Sequence, residues 1–182
     1  MERSVPIIPP GAFTLRFLYG VAVAFAVFSV YLYFRSTSGL APDKAHDQLL
    51  GMAAMIGVDF LLVGIIVWAV QRRSLVVGSA SLTIKSGFYT RTIPLSSLRV
   101  SEGVVASLLE QRELGTRWRT NGIRVPGFRA GWFRLAKGEK AFVLLTDPRT
   151  VTYLPTRAGF SLLVSTGELL RTLQSSQPPA VD

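Results

Sequence analysis

The sequence has no cysteine and one histidine, His46. Without thiols there can be no disulfide, thiolate zinc site or thiol nucleophile, and with one imidazole, in a polar stretch between apolar runs, a His-based metal site or a Ser-His-Asp triad has little to work with. Acidic residues are scarce as well, with 11 Asp+Glu against 20 Lys+Arg, a net charge of +9. Glu102, Glu110 and Glu113 form no convincing acid/base pair. Gly122, Gly127 and Gly131 lack the strand–turn–helix setting and the following Lys-Ser/Thr of a phosphate-cradling loop. The residues imply no metal and no cofactor, and the chain reads as a binding protein that is not an enzyme.

Long apolar runs, by contrast, are present. Residues 49–70, LLGMAAMIGVDFLLVGIIVWAV, carry one charge, Asp59, and are followed by Gln71-Arg72-Arg73. At ~1.5 Å per residue such a helix is about 33 Å long, enough for a hydrocarbon core of ~30 Å. The run shows no polar stripe of the kind a soluble core helix carries. Residues 17–34, FLYGVAVAFAVFSVYLYF, are uncharged between Arg16 and Arg35, with Tyr19, Tyr31 and Tyr33 near the ends where amphipathic rings favour headgroups. A cleaved signal peptide would have a shorter apolar region ending in small residues, whereas this one runs into Arg35.

Residues 35–48 form a polar connector, so the two runs are expected as a transmembrane hairpin over residues 17–73. Residues 1–16, with Pro6, Pro9 and Pro10, are expected as a tail. The Lys and Arg flanking the runs favour both termini inside and the connector outside. This orientation implies a multi-pass membrane protein whose second half lies on the inner side. Asp59 is the intramembrane polar candidate, since a carboxylate at bilayer depth is costly and functional by default. The structural alternative is a protonated carboxyl bonded to Ser29 or to a neighbouring helix in an oligomer. No second ionisable group lies at matching depth to form a relay.

From residue 74 the texture changes. This half holds 14 Lys+Arg against 7 Asp+Glu, so it is the basic half. Short runs rich in Val, Ile, Leu, Thr and aromatics alternate with Gly, Pro, Ser and Asp every 8 to 12 residues, as in a small antiparallel β-domain. Strands are expected over 81–85 and 88–93 as a hairpin, then over 98–105, 131–135, 141–146, 151–154 and 161–164. Residues 108–130 form the least regular stretch. A helix is expected over 166–174 with Leu169, Leu170 and Leu173 on one face, followed by a disordered tail at 175–182. The fold class is α+β: a two-helix hairpin, then about seven strands closed by a C-terminal helix.

The run LTIKSGFYTRTIPLSSLRV resembles the opening hairpin of bacterial pleckstrin-homology-like (PH-like) domains. The later segment WRTNGIRVPGFRAGWFRLAKGEKAFVLLTDPRTVTYLPTRAGFSLLVS is similar to a narrower bacterial PH-like family often found downstream of membrane helices. The resemblance covers residues 80–174 and implies a seven-stranded sandwich or partly open barrel capped by a helix. It implies no enzyme and no agreed ligand. Lys85 and Arg91 match the basic signature of phosphoinositide-binding hairpins only in part.

The candidate binding surface is the stretch from Arg112 to Arg134. It holds Arg117, Arg119, Arg124 and Arg129, interleaved with Trp118 and Phe128, and Glu113 is its one acidic residue. Arginine forks pair with phosphate or carboxylate, and aromatic rings favour the membrane interface. These residues either face anionic headgroups or are solvated strand positions around a core that contains Trp132 and Phe133. Three functions stay open: a membrane-anchored module that binds anionic lipid, an adaptor docking a membrane-protein partner, and a transport accessory acting through Asp59. Nothing matches a nucleic-acid module.

Overall fold

A computed structural model of the chain describes residues 2–37 and 42–176. It divides into two compact units: Ala12–Trp68, and Met1–Gly11 together with Ala69–Asp182.

The first unit is built from helix α1 (Ala12–Thr37) and helix α2 (Pro42–Gln71), of 26 and 30 residues. Both outgrow the apolar runs, so the expected connector over 35–48 is largely helical, and His46 lies within α2. Pro42 takes the first helical position, where its fixed φ suits a helix start and its missing N–H costs nothing. Ser36 Oγ lies 3.1 Å from Gln48 Oε1, tying the two helices near the turn. Each helix is long and apolar enough to cross a membrane, with mean hydropathy 2.0 and 2.4. Phe25, Phe28, Leu61 and Leu62 stand more than half exposed, as they would not in the core of a soluble protein.

Asp59 is half-buried, in a row with Met52, Ile56, Val63 and Ile66 on α2. It has no hydrogen-bond or ion-pair partner among the described residues. The expected bond to Ser29 does not form. Ser29 shares a groove with Met52 and Met55, about a turn or more of α2 away from Asp59.

The second unit contains two sheets. Strands β1 (Arg3–Ser4), β2 (Arg73–Val77), β3 (Ser81–Ser86) and β4 (Tyr89–Pro94) form an antiparallel sheet in that order. Strands β5 (Val104–Ala106), β6 (Thr116–Val125), β7 (Phe128–Leu135), β8 (Lys140–Leu145), β9 (Val151–Pro155) and β10 (Ser161–Val164) form the other, in the order β5-β9-β10-β8-β7-β6. Helix α3 (Leu169–Ser176) follows, burying Leu169, Leu170 and Leu173. Residues 175 and 176 of the expected tail belong to α3, and the rest of that expectation, over 177–182, lies outside the described residues.

The N-terminal tail expected over residues 1–16 is instead a paired arm followed, from Ala12, by α1. Arg3 and Ser4 pair with Val77 and Val76, and the Val5 amide donates to the Leu75 carbonyl at 2.9 Å. Val5 is buried. The Ile8 amide donates to the Ser165 carbonyl at 3.1 Å. Pro6, Pro9 and Pro10 exclude a helix here without excluding an extended arm. The domain is therefore assembled from chain segments on both sides of the helical hairpin.

Two further expectations change. The strand expected over 98–105 is interrupted by a 3-10 turn at Val100–Glu102, which leaves Leu98 as an isolated bridge to Thr156 and β5 as a short strand. The irregular stretch over 108–130 contains β6, the longest strand described, at 10 residues. Its register with β7 shifts twice, leaving Arg117 and Thr120 as extra residues. Two bulges break the period-2 pattern that a sequence reading needs.

The register sorts the core. On the first sheet Leu82, Ile84 and Ile93 share one face and are buried. On the second sheet Trp132, Phe142 and Leu162 lie on one face, while Phe133, Val143 and Leu163 lie on the other. The latter set forms a core cluster with Leu135, Leu145 and Val151. Strand β8 is thus buried on both faces, which accounts for its unbroken apolar run AFVLL.

Candidate functional site

The site is defined by where the chain enters and leaves the domain. After α2, Arg73 Nη1 donates to the Val70 carbonyl at 3.2 Å, capping the helix end. The Gly87 amide, in the β3–β4 turn, donates to the Arg72 carbonyl at 3.1 Å. A Cβ on Gly87 would lie 3.4 Å from Ile123 and 3.5 Å from Ala130, so this turn packs on the turn-proximal end of the β6–β7 hairpin. At the other crossing point, Thr146 Oγ1 donates to the Ile8 carbonyl at 2.5 Å. Thr146 in turn borders the same hairpin turn, where Gly127 adopts φ 76°. Both crossing points and two turns therefore gather at one end of the domain.

That end is basic. Arg124 and Arg129 are directly opposed across β6 and β7. Lys85 is exposed on β3 beside the Gly87 turn, and Phe88 stands 47% exposed in the turn itself. Arg124 is exposed, whereas Arg129 is half-buried and donates to Thr116 Oγ1 at 2.6 Å. The Arg129 guanidinium is held below its ordinary value, first by burial and then by the charge on Arg124. Arg129 and Leu108 border a cleft of about 120 Å³ that also touches Asp147 and Pro148. The ion pairs among the described residues, Arg99–Glu102 and Lys137–Glu139, involve none of these cations.

The other expected site residues separate from this end. Phe128 is 1% exposed and belongs to the core. Arg117, Trp118 and Arg119 lie at the opposite end of β6, all exposed, with the Arg117 guanidinium 5.9 Å from the Trp118 ring centroid. Among the two tryptophans of this stretch, Trp118 is the exposed one at 64%, and Trp132 is half-buried. Sequence reasoning gave Lys85 only a partial motif match and did not single out Lys140. Neither has a local signal; each gains its neighbours from strand pairing.

A second polar cluster is structural in character. Lys137 Nζ lies 2.8 Å from both Tyr153 Oη and Glu139 Oε2. Tyr153 Oη donates to Glu139 Oε2 at 3.0 Å, and Ser161 Oγ donates to Glu139 Oε1. Burial acts to raise the Glu139 carboxyl, and the hydrogen bonds from Lys137, Ser161 and Tyr153 outweigh it, so the group is held below its ordinary value. Lys137 is correspondingly held above its ordinary value: burial opposes the charge, and bonds to Glu139 and Tyr153 prevail.

A family model described as a bacterial PH domain matches residues 73–169, more than half of the chain. The chain belongs to the bacterial PH domain family. The match begins at the first residue of β2 and ends at the first residue of α3, so the PH domain accounts for both sheets except the arm strand β1. The two apolar helices and the arm lie outside it. No curated protein and no solved structure matches the chain.

Proposed function

We propose that the chain is a membrane-anchored PH module of the bacterial inner membrane. Its helical hairpin is the anchor, its PH domain lies in the cytosol, and the basic end carrying Lys85, Arg124 and Arg129 rests on anionic lipid headgroups. The role is binding and orientation, without catalysis. The observation that carries the reading is the joint location of both hairpin crossing points and these cations at one end of the domain. A hairpin anchor returns the chain to the side it started from, as a domain assembled from both flanks requires.

Near an anionic leaflet each basic residue contributes about 1 kcal/mol, so three cations supply ~3 kcal/mol to an already tethered domain. That is enough to select one orientation and too little to anchor a free protein. Phe88 in the adjacent turn adds an apolar contact at headgroup depth.

The test uses the full chain in nanodiscs, with amide hydrogen exchange as readout. Residues 86–88 and 124–129 should exchange more slowly in discs containing anionic lipid than in zwitterionic discs. High salt, or Lys85→Glu with Arg124→Glu, should abolish the difference. Equal exchange in both lipids would refute the lipid contact.

A further inference from the structure

A second basic surface lies on the other face of β7 and at its other end. Arg91 on β4, Trp132 and Arg134 on β7, and Lys140 on β8 converge there from three strands. The Arg91 guanidinium is 5.6 Å and the Lys140 ammonium 4.6 Å from the Trp132 ring centroid. The ring is fixed edge-on by Phe142 and Phe160, each 5.2 Å away. Arg134 and Lys140 are directly paired, and Arg134 Nη1 donates to the Gly138 carbonyl at 3.1 Å.

Among the described residues these cations, Arg91, Arg134 and Lys140, have no ion-pair partner. The nearest carboxylate in sequence, Glu139, is turned to the opposite face and held there by Lys137, Tyr153 and Ser161. Three exposed like charges are thus gathered around one half-buried aromatic ring with their local counter-charge withdrawn. Cation–π contact fixes the positions of Arg91 and Lys140 without neutralising them.

We infer that this surface docks an acidic segment of a partner polypeptide. Arginine with a half-buried tryptophan is the composition of an interface hot spot, and the missing charge is the one an Asp- or Glu-rich segment brings. A polypeptide is favoured over the bilayer because Arg134 and Lys140 lie at the strand ends remote from the crossing points near Gly87 and Thr146. The inference does not depend on which lipid the other end meets.

The test places the full chain in zwitterionic nanodiscs with Trp68→Phe and Trp118→Phe, leaving Trp132 as the sole indole. A 12-residue poly-glutamate peptide is the probe, with poly-glutamine and inorganic phosphate as comparisons. Poly-glutamate should shift Trp132 emission in a salt-dependent manner, and poly-glutamine should not. Arg91→Ala with Lys140→Ala should weaken binding about tenfold or more, as expected for lost charge-assisted contacts, and Arg91→Lys should restore part of it. Lys85→Glu should leave it unchanged. Binding that ignores the Arg91/Lys140 substitutions while near-UV circular dichroism stays native would overturn the inference. So would a Trp132 response to anionic lipid and none to poly-glutamate, which would make the membrane the occupant.

Discussion

Thr146 Oγ1 donates to the backbone carbonyl of Ile8, a bond between residues 138 positions apart that joins the arm before the hairpin to the sheet after it. The helical hairpin is therefore an excursion from within one folded unit. Any fragment starting at Ser74 lacks a strand of its own domain, together with Val5, which the core buries.

Arm removal should destabilise the domain. Val5→Ala deletes about two methylene equivalents from a buried site and should cost ~2 kcal/mol. Ile8→Pro should remove the bond to Ser165 and cost about 1 kcal/mol more than a side-chain truncation at that position. Thermal unfolding of the full chain, followed by tryptophan fluorescence, should show both as lowered midpoints. An unchanged midpoint would mean that the arm is ornamental.

Gly131 should tolerate no side chain. It adopts φ 108°, and a Cβ would lie 2.6 Å from the Asn121 carbonyl oxygen and 2.9 Å from the Tyr89 ring. Gly131→Ala must part β6 from β7 or displace Tyr89, at a cost of ~2 kcal/mol or more. The loss should appear as reduced stability and faster exchange along β6.

The Glu139 cluster should give stability a pH dependence. The folded carboxyl lies below its ordinary value of 4.5, so its contribution is full above that value and is lost as pH falls through the lower folded value. Lys137 works in reverse: its contribution is full below 10.5 and fades as pH rises through the raised folded value. Glu139→Gln should flatten the acid limb of a stability–pH curve, leaving neutral stability reduced. An acid limb identical to that of the parent would exclude Glu139 as its source.

Asp59 should cost insertion energy. A carboxylate near mid-bilayer costs about 2.5–3.5 kcal/mol on insertion scales, so Asp59→Leu should improve membrane insertion of α2 by that order in a translocation assay. No improvement would place Asp59 at the interface or in contact with a partner helix.

The hairpin and the PH domain were legible in the sequence because their signals are local. Apolar runs of membrane length and the SLTIK/FYTRTI hairpin each state their structure locally. The arm was missed because its bonds are non-local: Arg3, Ser4 and Val5 pair with a strand some 70 residues on, and Arg3 Nη1 reaches Ser175 Oγ. Strand β6 was missed because the bulges at Arg117 and Thr120 disrupt its alternation. Phe128 looked like a surface aromatic because arginines flank it, yet register turns it inward. The arginine-rich stretch was visible as composition, and its division into two surfaces arises only from strand pairing.

The most direct measurement uses the chain's lack of cysteine. Pro126→Cys, at the exposed β6–β7 turn, would carry the only thiol and accept a fluorophore in the full-length protein. In nanodiscs holding lipids spin-labelled at the headgroup, the account predicts strong quenching when anionic lipid is present, relieved by salt and by Arg124→Glu. A label at Gly138, in the opposite turn of β7, should stay unquenched under every condition. Equal quenching at both positions, or quenching at Gly138 alone, would contradict the claim that the Arg124–Arg129 end faces the bilayer.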